Sequence, residues 1–498
     1  MAKQLLARRR WWLRLWASIA DHGQRFAALP PSSVVGLERV EQLTKSLLSG
    51  RGEASGAALA RELLTAFRLL SRDQRVQYYV FLAQTFHPDE DRLTAAAQQY
   101  LETRSLESAA VLARASEPPR QEVLRRINMA DGGTAMLVDL RGELHDVLRE
   151  QPSLRLLDDD LRHLFSSWFN RGFLELRRID WQTSAAILEK LIAYEAVHEI
   201  SGWKDLHRRL AADRRCFAFF HPALPDEPLI FVEIALTKGL AGSVQDLLAH
   251  DVDEATNAAR VAHADSAIFY SISNCQDGLR GISFGNLLIK QVVEELRDEL
   301  PGLTHFATLS PVPGLRRWVT ARLESGETLD VMLTDAERSA LMDVAQLPAT
   351  MRQDGIASIS AALATLLRDD AWTHVAVARS ALRPALVRLT AIYLTRAPRK
   401  DTLIDPVAHF HLGNGARLER INWMANADAG GIAASYGIMV NYLYNPLKIE
   451  ENHEAFARGH EVVRAPAVDA LLSHDVPRPA PRRMLHTFIA RHRRDTPR

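Results

Sequence analysis

The chain has 498 residues, 47% hydrophobic and 24% charged, with 61 basic against 61 acidic side chains. That composition suits a globular protein of two or three domains and supplies no global charge for nucleic acid. Cys216 and Cys275 are too few for a disulfide framework or a cysteine zinc site, and no run approaches the roughly 18 apolar residues of a membrane helix. A reducing, bacterial-type cytoplasm is the expected compartment, ahead of a mitochondrial matrix.

Residues 1–30 form a basic arm. Lys3, Arg8, Arg9, Arg10 and Arg14 surround Leu5, Leu6, Trp11, Trp12, Leu13 and Trp16, with no acid before Asp21. Such a pattern fits a basic amphipathic helix, an organelle presequence, or an arm packing Trp against a partner subunit. From 31 to 200 the character is helical. Stretches 57–70 and 105–115 are rich in Ala, Leu, Glu and Arg. Residues 133–149 carry Leu137, Leu140, Leu144, Val147 and Leu148 at helical steps, and another helix is expected over 184–198. This part reads as a helical bundle for assembly and support.

The pattern changes near Trp203. Stretches 216–220 and 229–236 are dense in β-branched and aromatic residues, and three prolines lie between them, which predicts a hairpin with a longer loop. A short helix is expected at 244–249 and a strand at 267–273. A glycine-containing loop then leads to a helix with Phe284, Leu287, Leu288, Val292, Val293 and Leu296 inward, followed by a strand at 304–309. Thr334 and Glu337 form a capping-box pair opening a helix toward Leu347, and 386–394 continues a helical insertion. Stretches 406–412 and 438–444 look strand-like. The tail from Pro477 is basic again. The fold class is therefore α+β: an all-helical bundle, then a mixed α/β domain over 201–498 with helical insertions.

Two constellations carry chemistry. The first is Gly278-Leu279-Arg280-Gly281-Ile282-Ser283-Phe284-Gly285, with Asn286 next, between a strand and a helix. Glycines there let backbone N–H groups converge at a helix start, where a phosphate can sit; an ordinary tight turn is the alternative. The second is Asp405 to Ala416. As a strand it would place His409 and His411 on one face, for metal binding, for a structural hydrogen bond, or for acid–base work. Ser310, just past the strand at 304–309, is a candidate catalytic hydroxyl.

The strand–loop–helix–strand order resembles the coenzyme A cradle of the GNAT acyltransferase superfamily, with Arg280 to Gly285 following its loop signature except that Ser283 replaces the middle glycine. Longer blocks are more specific: Asp213-Arg214-Arg215-Cys216, Tyr270-Ser271-Ile272-Ser273, Leu309-Ser310-Pro311-Val312-Pro313-Gly314, Phe410-His411-Leu412-Gly413-Asn414-Gly415-Ala416 and Met439-Val440-Asn441-Tyr442. Over most of 203–444 they resemble the malonyl-CoA decarboxylase family. That resemblance implies a carbon–carbon lyase with a helical N-terminal domain, a GNAT-like catalytic domain, and self-association through helical surfaces. It implies malonyl-CoA and acetyl-CoA as the ligands, and no cofactor or metal.

By position, the family's catalytic serine and histidine fall on Ser310 and His411. Ser271 and Tyr444 match positions near the thioester, and the Arg280–Asn286 loop would hold the pyrophosphate. The family often has an acidic residue where Ser283 stands. A GNAT-type N-acyltransferase shares the cradle and is the alternative enzyme; a non-catalytic acyl-CoA sensor is the alternative outside catalysis.

Overall fold

A computed structural model of the chain describes residues 18, 20–23, 27, 29–31, 33–49, 52–249, 253–282, 288–325, 329–345, 355–396 and 405–473. The tryptophan-rich start and the basic tail lie outside the described residues, as do Ser283, Phe284, Gly285, Asn286 and Leu287. Two compact units result. One comprises 1–310, 410–417 and 441–461; the other comprises 311–409, 418–440 and 462–498.

The first unit opens with the helices Gly36–Leu47, Glu53–Arg68, Arg72–Thr85, Glu90–Thr103, Leu106–Ser116, Pro119–Asn128, Gly133–Val147 and Arg155–Trp168. Several starts are written in the chain: Ser71 and Gln74 close a capping box, and Asp89 and Ser105 cap the next two helices. Leu137, Leu140 and Leu144 are buried, as their spacing predicts. One element departs from the helical expectation. Glu175–Ile179 is a strand (β1), antiparallel to Arg214–His221 (β2). Its Glu-Leu-Arg-Arg-Ile sequence lacks a strand signature because β1 is an edge strand, where charge blunts the open side.

Next come β3 (Leu224–Thr237), β4 (Ser266–Asn274), β5 (His305–Thr308), β6 (Ser310–Pro311), β7 (Arg417–Asn422) and β8 (Met439–Leu443). In the first unit the sheet runs β1-β2-β3-β4-β5-β8. The β2–β3 hairpin is tighter than expected, with His221 opposite Leu224; Pro228 is absorbed opposite Phe220, between two register shifts. A proline is tolerated at such bulges because the ladder is already interrupted.

β4 and β5 are parallel, joined through a short 3-10 turn (Asp277–Leu279) and the helix Leu288–Glu299, which buries Leu288, Val292, Val293 and Leu296. Their pairing runs only from Ser266/His305 to Phe269/Thr308, whereas β4 stays paired with β3 as far as Asn274. β4 and β5 therefore part after Phe269. That splay opens the strand ends.

The second unit contains the helices Leu315–Glu324, Asp335–Ala345, Gly355–Leu366, Ala376–Arg396, Ala429–Ser435 and Pro466–Leu472. The expected capping box forms: Thr334 N donates to Glu337 (2.8 Å) and Glu337 N to Thr334 Oγ1 (3.3 Å). Glu337 also accepts from Arg388 Nε at 2.7 Å, so one carboxylate caps a helix and fastens a second.

The stretch 406–412 is not a strand. It is the helix Pro406–Gly413, and Asp405 is the reason. Its carboxylate accepts from Val407 N and Ala408 N, both at 3.0 Å, while Pro406 takes the first helical position. An Asp-Pro pair before an apolar run is a helix start, and that signal outweighs the alternation of His409 and His411. Residues two apart on a helix point about 200° from each other. His409 is accordingly exposed and His411 buried; they share no face.

Gly278 shows how the helical part supports the sheet. A Cβ there would lie 1.8 Å from the Val138 carbonyl oxygen, inside the helix Gly133–Val147. Backbone meets backbone, so neither side can yield cheaply. Gly278→Ala should destabilise the fold by about 1–3 kcal/mol, as overpacking does. An unchanged thermal midpoint would contradict this contact.

Candidate active site

Three hydroxyls and one imidazole meet at the end of β5. Thr308 and Ser310 are two residues apart on extended chain and so point to one side, and Tyr442 and Tyr444 repeat that spacing on β8 and just beyond it. Ser310 Oγ lies 2.9 Å from His411 Nε2, and His411 Nδ1 lies 2.8 Å from the Tyr444 hydroxyl. Ser310 Oγ also donates to Thr308 Oγ1 at 2.8 Å. The Tyr442 ring stacks on the imidazole at 4.7 Å and 26°. Tyr442 N donates to Thr308 Oγ1 (3.1 Å), and Asn441 Nδ2 donates to the Thr308 carbonyl (2.7 Å). The ring is thus fixed in plane and at both nitrogens.

Burial sets its charge. His411 is 3% exposed, and desolvation pulls its pKa down to about 3. The same burial pushes the Tyr444 phenol well above its usual 10, so it keeps its proton. At neutral pH the site holds an uncharged imidazole between two uncharged hydroxyls.

The structure brings together Ser310, His411 and Tyr444 from the residues singled out in the sequence. Ser271 is buried on β4, and its hydroxyl is given to Glu195, 2.8 Å from both carboxylate oxygens. Ser273 donates to the same carboxylate at 3.1 Å, and the N–H groups of Val197 and His198 complete it.

Arg280, Gly281 and Ile282 stand past the end of β4. Gly281 has φ +78°, a left-handed conformation that glycine adopts without strain. Arg280 is exposed and pairs with Asp277 (2.6 Å). The loop is fastened from the helical part: Arg141 Nη1 donates to the carbonyls of Gly278 (2.7 Å) and Arg280 (2.9 Å), and its Nε to Asp158 (2.7 Å). A separate cavity of about 460 Å³, lined among others by Arg214, Lys238, Arg260 and His263, includes neither Ser310 nor His411.

Thr308, Tyr442, Glu195 and Arg141 were not singled out in the sequence. The i, i+2 spacings Thr308/Ser310 and Tyr442/Tyr444 carry a usable signal for the first two. Nothing local marks Glu195 or Arg141, whose partners on β4 and the loop after it lie 76 to 139 residues away.

Comparison with known proteins shows the family. The malonyl-CoA decarboxylase N-terminal domain model matches residues 86–169, and the C-terminal domain model matches 172–481. Mitochondrial malonyl-CoA decarboxylase of the goose Anser anser anser is 36% identical over 389 residues, covering 74% of this chain and 74% of that protein. The Rattus norvegicus protein is 35% identical over 389 residues, covering 74% of this chain and 76% of its own. The crystal structure of malonyl-CoA decarboxylase from Rhodopseudomonas palustris is 44% identical with a TM-score of 0.76, over 88% of this chain and all of that one. The one from Agrobacterium vitis is 45% identical with a TM-score of 0.74, over 87% and 100%.

These matches define an enzyme of the carbon–carbon lyase class. The chain belongs to the malonyl-CoA decarboxylase family. Among the described residues no helix is long and apolar enough to cross a membrane.

The neutral ring has a measurable consequence. Unfolded, His411 would titrate near 6.5; folded, it does so near 3. Between those values the unfolded chain binds more protons, so this group's contribution to stability is complete above pH 6.5 and is lost as pH falls toward 3. In His411→Gln the decline of unfolding free energy from pH 7 to about 4.5 should be shallower by up to one proton. Equal slopes in denaturant titrations of the two proteins would contradict a buried neutral imidazole.

Proposed function

We propose that this chain converts malonyl-CoA to acetyl-CoA and CO2, with His411 as the acid that protonates carbon two. The observation that carries the reading is the Ser310–His411–Tyr444 chain, neutral and closed to bulk water. In the substrate the leaving carboxylate is β to a thioester carbonyl. When the bond between C2 and the carboxylate carbon breaks, its electron pair passes into that carbonyl as an enolate. The substrate is its own electron sink, so no cofactor or metal is required.

The enolate returns its pair to C2, which takes the proton on His411 Nε2. Tyr444 remains hydrogen-bonded to Nδ1 and disperses the charge left on the ring. A proton from solvent then restores the imidazole, giving a net uptake of one proton per turnover. A neutral imidazole is a weak acid, but a thioester enolate is a strong base, and neutral histidine serves as an electrophile in other enolising enzymes. All three members of the chain are buried, Ser310 at 6%, His411 at 3% and Tyr444 at 1% exposure. The Ser310 oxygen accepts the Nε2 proton in the resting site, and C2 takes that acceptor place when substrate is bound. A role for Ser310 as an acyl-enzyme nucleophile is disfavoured, because its own proton is directed to Thr308 rather than to the ring.

The pyrophosphate is proposed to rest on the Arg280–Asn286 loop, whose start Arg141 fastens at Gly278 and Arg280. Ser271 stays an indirect contributor, through Glu195. The compartment is proposed to be cytoplasmic, in keeping with two free, buried cysteines.

Self-association is proposed through the helices Glu90–Thr103 and Leu106–Ser116, which bury only Ala96 and Ser108 and leave Leu101 and Leu106 66% and 87% exposed. The double variant Leu101→Lys/Leu106→Lys should shift light-scattering mass to a smaller species; an unchanged mass would remove this surface from consideration. His411→Gln should lower kcat by about 100-fold or more while leaving coenzyme A affinity within about threefold. Release of CO2 from malonyl-CoA at the parent rate by that variant would defeat the assignment.

A further inference from the structure

The hydrogen-bond chain does not stop at Ser310, and its far end decides which ring nitrogen of His411 carries the proton. We propose that Thr308 is a positioning residue for the reaction: by accepting the Ser310 hydroxyl proton, it leaves Ser310 able only to accept from His411, which fixes the ring proton on Nε2. The inference rests on the catalytic reading above and deepens it.

The steps are a count of protons. A serine hydroxyl has one hydrogen, and Ser310 gives it to Thr308 Oγ1 at 2.8 Å. Toward His411 Nε2, 2.9 Å away, Ser310 can then offer only a lone pair, so Nε2 must be the donor. An uncharged imidazole carries a single ring proton. Nδ1 is therefore bare, and it accepts from the Tyr444 hydroxyl at 2.8 Å. Ser310, His411 and Tyr444 each then have one consistent role.

Thr308 is well placed to hold that direction. It is fully buried; its hydroxyl oxygen is approached by Tyr442 N at 3.1 Å, and its carbonyl accepts from Asn441 Nδ2. The strand pairing with Phe269 fixes its backbone. Reversing the chain would have a chemical cost. Were Ser310 to donate to Nε2, the ring proton would move to Nδ1 and face Tyr444, and Nε2 would have nothing to hand to a carbanion. Thr308 acts through Ser310 and His411, without touching the reacting atoms.

Two variants and one spectrum test this. Thr308→Val keeps the volume and removes the acceptor, so Ser310 is released to turn toward the ring. Its kcat should fall about 100-fold, the low end of what a positioned proton donor contributes, with KM within about threefold. Thr308→Ser restores the acceptor and should restore kcat to within about threefold. Nitrogen-15 NMR of histidine-labelled protein, with the His411 signals assigned by their loss in His411→Gln, should show the Nε2–H form in the parent and the Nδ1–H form in Thr308→Val.

A parent protein in the Nδ1–H form overturns the inference, and that spectrum decides the matter even if Thr308→Val does not fold. Parent-like kcat in a folded Thr308→Val also overturns it. The underlying catalytic reading fails separately, by full activity in Ser310→Ala and His411→Gln; inactive forms of those two beside an active Thr308→Val would remove only the role of Thr308.

Discussion

An imidazole held without charge, with a hydroxyl at each nitrogen, is the constraint on which the rest of this molecule depends. Burying His411 to 3% exposure costs the imidazolium form its solvation, which is why the ring stays neutral. A buried polar ring is tolerable only if both nitrogens are satisfied, and Ser310 and Tyr444 satisfy them. The three residues are far apart in the chain. They meet because the end of β5, the Asp405-capped helix Pro406–Gly413 and the end of β8 converge, with Tyr442 stacked beside the ring.

The amino-terminal helices do more than add bulk. Gly278 admits the helix Gly133–Val147 to backbone contact, and Arg141 from that helix grips the carbonyls of Gly278 and Arg280. The loop at the end of β4 is therefore shaped by a guanidinium that belongs to the helical part. Glu195 makes a comparable tie, drawing Ser271 and Ser273 of β4 onto the segment between β1 and β2. Such attachments tie the helical part to β4 and the loop that follows it.

Much of this was legible in the sequence where the signal is local. The amphipathic stripe of 133–149, the capping box at Thr334 and Glu337, and the strand–loop–helix–strand order over β4 and β5 all survive in the structure. So does the pairing of Ser310 with His411, which came from the family blocks rather than from spacing. Two elements were misjudged for identifiable reasons. Alternation suggested a strand at 406–412, but the Asp405 cap and Pro406 dictate a helix, which separates His409 from His411. β1 was missed because an edge strand with Arg177 and Arg178 looks like helix surface. What no local pattern reveals is the long-range wiring, from Arg141 to the loop and from Glu195 to Ser271.

The decisive observation is the position of carbon two. A crystal structure of the protein with a malonyl-CoA analogue that cannot lose its carboxylate should place that carbon within about 3.5 Å of His411 Nε2 or of the Ser310 oxygen beside it, the reach of a near-attack geometry. An analogue bound with that carbon more than about twice that distance from both atoms would contradict the account at its centre.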